Sequence, residues 1–127
     1  MNPVFLTLDE VLALHRDQIE RYGGAMGLRD LGLLQSALGT PQASFGGGFL
    51  HCSLPEMAAA YLYHIVCNHP FVDGNKRTGL MAAIGFLGLN GLELNANPDV
   101  LARLVLGIAA GSVSKAEAAV FLAAHSL

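Results

Sequence analysis

Residues 57–92 hold three formal charges, Asp73, Lys76 and Arg77, and all three fall within five positions. A stretch this apolar has to be covered by the rest of the chain. It is too interrupted to cross a bilayer. Its uncharged pieces, 57–72 and 78–92, fall short of the roughly twenty residues a spanning helix needs, and the first carries His64, Asn68 and His69. Pro70 disfavours helix at His69. The stretch therefore reads as two buried helices, 55–68 and 75–90, joined by a bend near the middle of a helical bundle.

The rest of the composition agrees with one domain over residues 1–127. Charged residues make up 13% of the chain and hydrophobic ones 53%, the reverse of a disordered segment. Seven Lys+Arg against ten Asp+Glu leave a net charge of −3, which excludes a strongly basic nucleic-acid binder. Met1-Asn2-Pro3 opens no secretory signal, so a cytoplasmic location is expected. Cys52 and Cys67 then read as reduced packing residues.

Helix signals recur along the chain. Thr7-Leu8-Asp9-Glu10, Ser53-Leu54-Pro55-Glu56 and Ser114-Lys115-Ala116-Glu117 are capping boxes. Asp30 caps a short helix through Leu38, and Asn97-Pro98-Asp99 opens another. The sum is an all-α chain of about six helices with no convincing strand; 92–94 is too short to count. Residues 40–52 form a glycine-rich loop, readable either as a plain connection or as a mobile flap whose Phe45, Phe49 and Leu50 touch a partner.

The charges at the bend carry the chemistry. Asp73 could pair with Arg77 and lock the turn, and an acid suits a helix N-terminus. Lys76 and Arg77, however, stand at the wrong end of a helix for cations unless an anion is bound. A helix N-terminus with Gly74 and Asn75 is itself an anion site. Phosphates would lie on the amides of Gly74, Asn75 and Lys76, neutralised by Lys76 and Arg77. Asp73 is an oxygen ligand suited to Mg²⁺. His69 carries the side-chain type most often used as a general base on an attacking hydroxyl. No serine lies between Ser53 and Ser112 to act as a covalent nucleophile, so direct transfer of a phosphorus-containing group to a hydroxyl is expected.

At these residues the chain resembles a known family. His69-Pro70-Phe71-Val72-Asp73-Gly74-Asn75-Lys76-Arg77 resembles the Fic-domain signature His-Pro-Phe-x-(Asp/Glu)-Gly-Asn-Gly-Arg-x-x-Arg. It departs from it at Lys76, where a glycine stands in that signature, and at Leu80, where its last arginine stands. Both departures are features of the Doc (death-on-curing) branch. Leu14-His15, Arg21-Tyr22-Gly23-Gly24 and Ala110-Gly111-Ser112-Val113-Ser114 also look like Doc. The resemblance implies a compact Fic-like bundle with a central buried helix–loop–helix. It implies a toxin of a toxin–antitoxin pair acting as a protein kinase that uses ATP and Mg²⁺. The implied substrate is a threonine of elongation factor Tu, so translation stops. His69 would be the base, Asp73 the metal ligand or acceptor guide, and Asn75, Lys76 and Arg77 phosphate holders. Phe71 would anchor the loop, and residues 44–49 fall where Fic proteins carry a target-docking flap. By the same resemblance, Lys76 would reverse the nucleotide so that it presents the γ-phosphate. The resemblance implies as partner a Phd-type antitoxin whose tail folds on binding; no Glu is followed by Gly or Asn as in the inhibitory helix of other Fic proteins, which agrees with control from outside the chain.

Two alternatives stand beside this reading: a Fic-type AMP transferase, and a catalytically silent relative that only binds an antitoxin. A metal hydrolase built on His51, His64 and His69 matches no standard zinc spacing. His64 reads as a core or neighbouring histidine, and His15 and His125 as surface or packing residues.

Overall fold

The computed structural model describes residues 2–127. It contains α1 (Leu8–Tyr22), α2 (Leu31–Gly39), α3 (Leu54–Asn68), α4 (Asn75–Leu89), α5 (Pro98–Ala109) and α6 (Lys115–His125). The starts are set by short polar side chains. Thr7 Oγ1 accepts from the Glu10 amide while Glu10 Oε1 accepts from the Thr7 amide, and Ser114 and Glu117 repeat the exchange. Asp30 and Asn97 cap α2 and α5. At α3 the exchange is shifted: Ser53 Oγ caps Glu56, but the Glu56 carboxylate takes the Cys52 amide instead. Helix α4 has no side-chain cap and begins from Gly74 in the left-handed conformation, φ 78°.

Helix α3 is the centre of the bundle. It packs against α4, α6, α2 and α5, and α1 lies on α4. The α3–α4 approach is close because it is lined with small residues. A Cβ at Gly79 would stand 3.0 Å from Val66 Cγ2 and 3.2 Å from the Leu62 carbonyl. Tyr61 is fully buried among these helices, and its hydroxyl accepts from the Leu6 amide at 3.0 Å. Burial pushes its pKa up to about 12.

Three expectations change. The 40–52 segment is not an unstructured loop. A 3-10 turn, Thr40–Gln42, leads into a small antiparallel hairpin pairing Ser44 with Phe49 and Phe45 with Gly48. Gly46 and Gly47 both have positive φ, the requirement of a two-residue turn that matches strand twist. Phe49 packs on Phe5 while Phe45 is 83% exposed. Second, Cys52 and Cys67 are free thiols, as expected, but both are exposed rather than packed. Third, the α3–α4 bend lies at one end of the bundle. Phe71 and Asn75 point inward, while His69, Asp73 and Lys76 are exposed. Among the described residues, no helix is long and apolar enough to cross a membrane.

Candidate active site

The site grows from the way α3 stops. Pro70 removes the option of further helix, and His69 becomes the C-cap with φ 52° and ψ 53°. Among the described residues it is the one non-glycine with positive φ, at a cost of ~1–2 kcal/mol. The segment between α1 and α2 runs alongside and supplies donors. Arg29 Nε donates to the His69 carbonyl at 2.7 Å, and its Nη2 to the Asn68 carbonyl at 3.0 Å. The amides of Arg29 and Asp30 donate to the Pro70 carbonyl, and the Val72 amide donates to the Gly27 carbonyl. The His69 imidazole itself is exposed and makes no hydrogen bond among the described residues.

The loop is fixed from below by Phe71, which is 1% exposed. Asn75 holds the Phe71 backbone from both sides: its Oδ1 accepts the Phe71 amide and its Nδ2 donates to the Phe71 carbonyl, each at 2.9 Å. The buried His15 ring stacks on Phe71, and its Nε2 bonds to the Asp73 carbonyl at 2.8 Å. A carbonyl only accepts, so the proton is on Nε2.

Asp73 turns its carboxylate across the loop. Oδ2 accepts from the Ala25 amide at 3.2 Å and Oδ1 from the Gly74 amide at 2.8 Å. These amides, then the positive Arg77 and Lys76, hold its carboxyl below the usual carboxylate range. A Cβ at Gly24, whose φ is +119°, would lie 2.6 Å from Asp73 Oδ2, so glycine is needed there. Arg77 does not pair with Asp73. Its Nη2 donates to the Gly23 carbonyl at 2.9 Å, and its Nη1 to the Gln18 carbonyl at 3.4 Å. A cation at the carboxyl end of α1 is favourable to the dipole. Lys76 projects from the first turn of α4 into solvent.

His69, Asp73, Lys76 and Arg77 thus belong to one loop and one helix start. The structure changes how several are used. Gly74's amide serves Asp73, Asn75's side chain serves Phe71, and Arg77 spends two of its five N–H donors on α1. The amides of Asn75, Lys76 and Arg77 are the unpaired first-turn donors of α4. Three contributors escaped sequence reasoning. His15 takes the packing alternative, buried against Phe71, and adds a bond to the Asp73 carbonyl that no local pattern signals. Gly24 makes room for Asp73. Arg29 acts on backbone carbonyls some forty positions away, a contact that leaves no periodic or motif signal. His64 stands apart from His69: its Nε2 lies 3.2 Å from Lys115 Nζ, and burial, then that charge, lower its pKa. No three metal-ligating side chains come together among the described residues.

A model of the Fic/DOC family matches residues 5–87. The chain is 39% identical over 106 residues to "Protein kinase doc" of Escherichia phage P1, covering 84% of this chain and 82% of that one. It is 46% identical over 79 residues to "Toxin Doc" of Mycolicibacterium smegmatis, covering 62% and 61% respectively. The matched region contains α1 through most of α4 and every residue of the loop. The chain belongs to the Fic/DOC family.

Proposed function

We propose that this chain is the toxin of a toxin–antitoxin pair and transfers the γ-phosphoryl group of ATP to a protein hydroxyl, a threonine of elongation factor Tu, so arresting translation. The names of the phage and mycobacterial relatives support a toxin with kinase activity. The observation that carries the chemistry is His69: an exposed imidazole with no hydrogen bond among the described residues, on a loop whose backbone is tied at both flanks.

His69 accepts the proton of the attacking hydroxyl. The hydroxyl oxygen bonds to the γ-phosphorus as the bond to the β-bridging oxygen breaks, and ADP leaves. The open first-turn amides of α4 and the Lys76 ammonium lie where phosphate charge is best held. Arg77 keeps three N–H groups for the same purpose.

Asp73 fits a magnesium ion. Its carboxylate is held ionised, and two amide bonds leave about two of its four lone-pair positions open. One carboxylate with phosphate oxygens is a usual magnesium set. When bound, the ion would neutralise phosphate charge.

The partner in this reading is a Phd-type antitoxin whose tail folds on the toxin. An apolar cleft of about 290 Å³ between α4 and α5, lined by Leu80, Ala102, Val105 and the exposed Leu106, adjoins Lys76 and Arg77 and suits an amphipathic segment. The test is growth. Expression without a partner arrests the host, and His69→Ala expressed to the same level does not. Equal growth of the two strains removes the enzymatic reading in favour of a silent binder.

A further inference from the structure

We propose that Arg29 is a positioning residue for His69, acting through the backbone of the histidine rather than through its ring. This inference rests on His69 serving as the base. A left-handed C-cap suits glycine, and His69 occupies one with a full side chain. Something must hold it there, and most of the donors come from one residue. The Arg29 fork spans two successive carbonyls, Asn68 and His69, through Nε and Nη2, and its own amide takes the next carbonyl, Pro70. Three consecutive acceptors at the end of α3 are therefore satisfied by Arg29, with Asp30 sharing the last.

The Asn68 carbonyl is an orphan of the end of α3, and the His69 carbonyl follows it at the cap, so the Arg29 cation sits at the negative pole of the helix. A planar cation across both carbonyls fixes their relative orientation, and hence the φ and ψ of His69 and the direction of its Cα–Cβ bond. The arrangement is also held from the far side, where Asn68 Nδ2 donates to the Leu33 carbonyl at 3.0 Å. Arg29 is exposed and touches no other site side chain through a hydrogen bond. Its removal leaves Asp73, Asn75, Phe71 and the start of α4 with all their partners. The effect falls on the direction of one imidazole, so nucleotide binding is spared and the chemical step is not.

The experiment uses full-length Arg29→Gln and Arg29→Lys. It reads kcat, the KM for ATP and the ¹H–¹³C imidazole cross-peak of His69, assigned by its loss in His69→Ala. For Arg29→Gln, kcat falls at least about tenfold, as misplacement of a reacting group does, while the KM for ATP stays within about twofold. The His69 cross-peak broadens or moves toward that of a free histidine. Arg29→Lys, which returns a cation to the carbonyls but not the fork, recovers part of both losses. An unchanged kcat, an unmoved cross-peak, or a lysine variant no better than glutamine overturns the proposal. Should Arg29→Gln not fold, Arg29→Lys decides by the same readouts: an intermediate kcat with a displaced cross-peak supports positioning, and wild-type values overturn it. Should the wild-type protein transfer nothing to any acceptor, the kinase reading fails on its own, and the cross-peak alone decides the role of Arg29.

Discussion

The His15 imidazole lies face to face with the Phe71 ring, with 3.8 Å between centroids and 6° between planes, and reaches past it to the Asp73 carbonyl. One buried side chain of α1 thereby supports both the apolar anchor of the loop and the backbone of its acid. His15→Ala removes the stack, the hydrogen bond and the packing together. The expected loss is ~2–4 kcal/mol of folding stability, read as a lower urea midpoint at constant slope. His15→Phe keeps a ring but leaves the Asp73 carbonyl without its donor, and should cost about 1–2 kcal/mol. A His15→Ala midpoint equal to wild type would mean that the stack contributes nothing.

Asn75 is the second support. Asn75→Ala leaves the buried Phe71 amide and carbonyl unpaired, at about 1–3 kcal/mol for each group. Asn75→Asp keeps the acceptor but turns a carboxylate toward the Phe71 carbonyl. Both variants should unfold at lower urea and lose most of their transferase activity. An active, stable Asn75→Ala would place the loop's rigidity elsewhere.

These supports explain what was legible in the chain itself. The helices could be read because their starts are local chemistry: Thr7, Asp30, Ser53, Asn97 and Ser114 each cap amides two or three residues on. The loop could be read because Asp73, Lys76 and Arg77 interrupt an otherwise uncharged stretch. What escaped notice was every contact across the chain. The bond from Arg77 to the Gly23 carbonyl leaves no local signal because it spans more than fifty residues. His15 looked ordinary because Phe71 is as distant in sequence. The 44–49 hairpin was hidden because each strand is two residues long, too short for alternation to show.

Asp73 gives a pH prediction with a definite sign. Its folded pKa lies below its unfolded value, chiefly through the Ala25 amide and then the Gly74 amide. The stabilisation is therefore present above the ordinary carboxylate range, near pH 4, and is lost as pH falls through the lower folded value. Wild type should be more stable than Asp73→Asn in urea at neutral pH, and the gap should narrow as pH drops below about 4. Gly24→Ala, whose Cβ intrudes on Asp73 Oδ2, should shrink the same gap at neutral pH. A difference that is independent of pH would show that the carboxylate's charge has no part in it.

Lys76 tests the orientation of the nucleotide. It is exposed and makes no hydrogen bond or ion pair among the described residues, so Lys76→Gly should leave the fold intact apart from about 1 kcal/mol of helix propensity. The variant removes bulk and charge from the first turn of α4 and should gain AMP transfer at the expense of phosphoryl transfer. A variant that loses γ-phosphoryl transfer without any AMP transfer would show that orientation is set by other residues.

The most direct measurement follows the label. Purified wild-type protein and His69→Ala are incubated with elongation factor Tu and ATP labelled at either the α or the γ position. The account predicts γ-label on a threonine of the acceptor, no α-label, and loss of the signal in His69→Ala. Transfer of α-label by the wild-type protein would contradict it and identify an AMP transferase instead.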